Sequence, residues 1–165
     1  MKKISNIQSL IKRIEGAKAS GLVDLSTEED LSLAVMNLAS LEEHLFLTAN
    51  KTGKGEYFDL LDEVRQSRQT LLAKLIDRHE GETWCISKHL LAAVMRLMEV
   101  GAKLRSQGKK KEADEAFSKA YEFYSIFWGL RLKLVSLPEI KEVARKEDPW
   151  TLKDIVEKLV DCCDE

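Results

Sequence analysis

The residues of this chain best suited to chemistry lie in one polar row on an otherwise apolar segment. Cys85, His89, Arg96 and Glu99 recur, through Ala92, at spacings of four, three, four and three, so they fall on one stripe if the segment is helical. Two further segments offer polar groups that could meet that row. Arg68 interrupts an aliphatic stripe between Val64 and Leu71, with Arg65 and Glu63 beside it. His44 forms a row with Asn37 and Thr48, next to Glu42 and Glu43. Buried charges are costly unless they are paired and hydrogen-bonded. Brought together, these groups could line a pocket in which Arg68 and Arg96, helped by Arg65, grip a carboxylate or phosphate through bidentate bonds. His89, His44, Glu43 and Glu99 would complete it. Turned apart, they would form ion pairs or face water.

A metal is the second chemistry to weigh. Cys85 and His89 stand at i, i+4 and His44 could add a third ligand, a set that suits zinc. The di-iron bundles require a Glu three residues before a ligating His; here Leu41 precedes His44 and Ile86 precedes His89. No cofactor is required by the sequence. No nucleophile motif is legible either: Cys85 and His89 could pair, but nothing supplies an oxyanion hole. The glycines of Thr52-Gly53-Lys54-Gly55 lack P-loop spacing and follow a helical pattern instead of a strand.

These groups must be carried by helices. Apolar residues recur every three or four positions throughout, Pro is found twice and Gly eight times, and no alternating strand pattern appears. Long helices are expected at about 27–51, 56–79, 82–106 and 110–135, with short ones at about 4–20, 137–146 and 149–162. Ser26 with Glu29, and Ser136 with Glu139, have the spacing of capping boxes. On the second helix Leu31, Ala34, Val35, Leu38, Leu41 and Leu45 are expected inward; on the third, Leu60, Leu61, Val64, Leu71 and Leu72. The helix at 82–106 is apolar over most of its circumference and belongs in the middle of the domain. The aromatic residues Phe117, Tyr124, Phe127 and Trp128 keep helical spacing with Ala113 and Ala120 and read as core. The last helix carries Leu152, Ile155, Val156, Leu159 and Val160. Short turns make successive helices antiparallel, so residues 1–165 are expected to form one all-α domain, an up-down bundle of four long helices with short flanking helices.

The stretch from Val100 to Ala120 resembles a tetratricopeptide helical hairpin. Val100-Gly101, Leu104, Gly108, Ala113, Phe117 and Ala120 fall at that motif's small and apolar positions, while Ser125 stands where its closing proline would be. The likeness covers about a fifth of the chain and no second copy is present, although the architecture stacks several repeats. It implies protein or peptide binding, not catalysis.

Composition narrows the classes further. A formal net charge of −2 gives no global field toward nucleic acid or membrane. The basic turn at 103–111, with Lys103, Arg105, Lys109, Lys110 and Lys111, is the local exception, and a nucleic-acid-associated protein would use it. No stretch has the length and apolarity of a membrane span. The amino terminus is amphipathic, without the unbroken apolar run of a signal peptide, and Cys85, Cys162 and Cys163 form no disulfide framework, so a cytoplasmic protein is expected. The leading expectation is a helical binding or interaction module with a protein partner or self-association. The alternatives are a small-ligand or metal-binding bundle, or an enzyme, with its site between the second, third and fourth helices.

Overall fold

The computed structural model describes residues 7–19, 26–77, 81–137 and Ile140. Its regular structure, among those residues, is helical throughout: α1 (Ile7–Ala19), α2 (Ser26–Thr52), α3 (Glu56–Leu72), α4 (Glu82–Ser106) and α5 (Lys110–Arg131). The helices expected at about 137–146 and 149–162 fall almost wholly outside the described residues.

Two helices end earlier than their apolar periodicity suggests. The expected continuation of α3 to 79 gives way after Leu72, where the hydrogen bonds tighten to Lys74 N–H on Leu71 O and Leu75 N–H on Leu72 O. That turn buries both Leu75 and Ile76. The expected continuation of α5 to 135 stops at Arg131 because Lys133 adopts a φ of +53°. Leu134 N–H then reaches back to Gly129 O at 2.9 Å, the closing bond of a Schellman turn. Glycine usually takes that left-handed position; here a lysine does, so the sequence carries no stop signal.

Packing proceeds through four principal contacts: α3 against α2, α2 against α4, α4 against α5, and α5 against α1. The α4–α5 hairpin repeats every seven residues. A Cβ on Gly101 would stand 2.7 Å from a ring carbon of Phe117, so glycine is what lets the helices close there. Counting back by sevens from Gly101 gives Val94 and Ser87; counting forward from Phe117 gives Tyr124 and Arg131. Antiparallel register therefore layers Gly101 with Phe117, Val94 with Tyr124 and Ser87 with Arg131.

The same ladder fixes the direction of α2. Glu28 accepts from Arg131 at 2.6 Å, Ser32 meets Tyr124 at 2.8 Å, and Glu43 accepts from Arg96 at 2.6 Å. Moving up α2 from Glu28 to Glu43 thus moves up α4 from the level of Ser87 to Arg96, so α2 and α4 run the same way. The α2–α3 and α4–α5 turns then lie at one end, the tip, and the chain segments after α3 and α5 at the other, the foot. The core is densest toward the foot, where Val35, Leu72, Leu91, Phe127 and Trp128 are almost fully enclosed.

Candidate functional site

Arg68 sits on the α3 stripe that faces α2, with Leu61 and Leu72 above and below it, both buried. Its guanidinium is 2% exposed and the Glu42 carboxylate 13% exposed. Nε donates to Glu42 Oε1 at 2.6 Å and Nη2 to Oε2 at 3.4 Å, while Arg65 Nε reaches the same carboxylate at 3.4 Å. Two cations therefore share one anion. Arg68 Nη1 is enclosed and has no hydrogen-bond partner.

Arg96 belongs to a different cluster. It donates from Nε and Nη2 to Glu43 Oε2 at 3.0 and 2.6 Å, and from Nη2 to Ser40 Oγ at 3.2 Å. Both partners of this ion pair are about half exposed. Glu42 and Glu43 are neighbours in sequence, yet a helix turns about 100° per residue. Glu42 consequently faces α3 and Glu43 faces α4. The polar groups expected to converge between three helices are split by α2 into a buried Arg68–Arg65–Glu42 set and a solvated Arg96–Glu43 pair.

The remaining expected site residues scatter. Glu99 and His44 are exposed, His89 is half-buried, and Cys85 is buried within the core. The polar row on α4 thus runs from core to water along its length instead of lining one cavity. Among the described residues no group of three His, Cys, Asp or Glu side chains is placed to hold a metal ion, so His44 does not join Cys85 and His89 around a cation. The turn that carries Lys103, Arg105 and Lys109–Lys111 is exposed throughout, and acids stand in it: Arg105 pairs with Asp114 at 3.5 Å and Lys109 with Glu112 at 3.8 Å.

Two contacts near the foot escaped sequence reasoning. Ser32 Oγ donates to Glu29 O at 2.7 Å, which leaves Tyr124 as the donor in the 2.8 Å bond between their hydroxyls. The Glu28–Arg131 pair is partly buried, and its layer leaves Glu28 Oε2, Arg131 Nε and the fully enclosed Ser87 Oγ without partners. Only the acid-hydroxyl spacing of α2 and the seven-residue count on α5 hinted at them.

The tip presents the other distinctive chemistry, which is apolar. Along the α2 stripe Val35 is fully buried, Ala39 partly so, and Phe46 is 51% exposed. Along α3, Leu71 packs on the core, Val64 is half-buried and Leu60 is 46% exposed. On α4, Val100 stands one turn past Arg96 and is 47% exposed. Three inward stripes lose their cover toward the same end. Leu41 and Leu60, expected inward, are exposed for different reasons: Leu41 lies on the outer flank of α2, whereas Leu60 lies where the hairpins part. No helix of the described residues is long and apolar enough to cross a membrane, so lipid-core burial does not account for these side chains.

The chain matches no protein-family model, no curated protein and no solved structure.

Proposed function

We propose that this chain is a binding module, built on an up-down arrangement of α2 to α5 with α1 at its flank, that takes a protein partner or a second copy of itself. The carrying observation is the apolar opening at the tip formed by Phe46, Leu60 and Val100. Exposed apolar side chains scattered singly are ordinary; contiguous ones on the inward stripes of neighbouring helices mark interaction surfaces. The alternating helix directions and the tetratricopeptide-like closeness of Gly101 to Phe117 support the architecture. The free Cys85 supports a reducing, cytoplasmic setting. Sedimentation velocity over a range of concentrations, then affinity capture with wild type and with Phe46→Asp/Val100→Asp, tests the reading. A concentration-dependent association, or captured proteins, lost in the double variant is expected. A monomer whose captured proteins do not change with the substitutions overturns it.

A second reading is favoured by one observation, the enclosed and unpartnered Nη1 of Arg68. A small anion, such as phosphate, would complete the guanidinium and offset the excess positive charge around Glu42. Thermal-shift screening with phosphates checks this, because a ligand at 100 times its dissociation constant adds about 2.7 kcal/mol to stability. No shift at saturating anion removes it.

A further inference from the structure

Resting on the binding-module reading, we propose that the occupant of the tip opening is the chain's own segment 149–160, docked as an amphipathic helix between the α2–α3 and α4–α5 hairpins. The opening is the upward continuation of the core. Phe46, Leu60 and Val100 extend stripes that are closed lower down by Val35, Leu71 and the α2–α4 contact. An apolar groove between diverging helices accepts a helix that presents anchors at i, i+3, i+4 and i+7. Leu152, Ile155, Val156 and Leu159 have that spacing. Such a stripe needs a surface to cover it, since an isolated helix of this length is marginal in water.

The reach is adequate. Ile140 belongs to the buried core and follows Val135, whose methyl lies 2.8 Å from where a Gly129 Cβ would be. In the seven-residue ladder Gly129 stands about level with His89, eleven residues below Val100, a rise of about 16 Å. Residues 141–148 can span up to about 27 Å when extended. The segment's start therefore reaches the base of the opening.

Photo-crosslinking of the full chain tests the docking. A benzophenone amino acid is placed at position 46, with the outward position 62 on α3 as the control, and crosslinked peptides are mapped after irradiation. Intramolecular crosslinks from position 46 to residues 150–160 are expected, absent from position 62 and lost in Ile155→Asp/Leu159→Asp. Crosslinks from position 46 to a second copy, or in lysate to another protein, with none to residues 150–160, overturn the internal docking but leave the binding module standing. No crosslink above the control, in pure protein or lysate, overturns both.

Discussion

Arg68 and Glu42 form the most enclosed ion pair among the described residues, a 2.6 Å contact between α3 and α2, and the two partners are not equivalent. Glu42 keeps a second cation, Arg65, if Arg68 is lost. Arg68 has no other described partner if Glu42 is lost. Removing one member of a buried pair costs about 3–5 kcal/mol. Urea melts should place Glu42→Ala in that range and Arg68→Ala below it, near 2–3 kcal/mol. Equal losses, or the reverse order, contradict the sharing of Glu42 by two arginines. The paired replacement Arg68→Leu/Glu42→Leu should recover most of the stability, because two aliphatic groups leave no charge enclosed.

The Arg96–Glu43 pair should behave oppositely. Both partners are about half exposed, and such pairs contribute about 1 kcal/mol or less. Arg96→Ala should shift the urea midpoint little, and the difference from wild type should shrink further at high salt. A loss comparable to that of Glu42→Ala would place Arg96 in a buried network instead.

Gly101→Ala should destabilise by about 1–3 kcal/mol through overpacking, since the added carbon meets the Phe117 ring. Phe117→Leu in the same chain should return part of the loss, by giving the carbon room. Chemical denaturation of the two single variants and the double variant measures the coupling; additive losses would mean that the two residues do not touch.

Tyr124→Phe should cost about 1 kcal/mol, the usual net worth of one hydrogen bond. The loss stays small because the Ser32 hydroxyl already donates to Glu29 O and is left with an unused lone pair, not an orphan proton. Thermal melts of Tyr124→Phe and Ser32→Ala should differ in the same way, with Ser32→Ala the costlier, since it strands the phenol.

Tyr121 sets an alkaline edge. Its phenol donates to Glu15 of α1 at 3.3 Å, and its pKa lies above the ordinary 10.0 because of burial first and the Glu15 carboxylate second. A folded-state pKa raised above the unfolded value favours the folded protein below pH 10, and that contribution is lost as pH rises through the folded pKa. Stability should therefore fall above about pH 10 more in wild type than in Tyr121→Phe, with a modest difference because the side chain is largely exposed. Absorbance titration of the phenol, with α1 followed by hydrogen exchange, reads both events.

Much of this organisation was legible before any coordinates, and what was not has one physical cause. Hydrophobic period reveals which face of a helix is inward, so Arg68 stood out among Val64, Leu71 and Leu72, and Glu42 was one of few acids within reach. Period does not reveal which neighbour a face meets. Hence Arg96 and Arg68 looked convergent, although α2 separates them, and Leu41 looked buried although no helix covers its flank. Period also says nothing of where packing opens. Leu60 and Leu71 belong to the same stripe, and only the parting of two hairpins near the tip distinguishes them. The end of α5 was hidden because a lysine adopts the backbone turn that glycine would have advertised.

The seven-residue layering of Gly101, Val94 and Ser87 against Phe117, Tyr124 and Arg131 has a consequence for how this gene can change length. Deleting a single codon within α4 rotates everything beyond it by about 100°. It would swing Gly101 away from the Phe117 ring and present a side chain in its place. Losses or gains of seven codons preserve the facing, but only if α5 changes by the same seven, since the hairpin pays out both strands of its ladder together. Insertions at Gly53, Gly55 or Gly108 carry no such debt: a side-chain carbon added at any of these turns would meet nothing within 4 Å. Length variation among descendants of this gene should therefore accumulate at the two tip turns and be nearly silent inside α4 and α5, except as matched heptads.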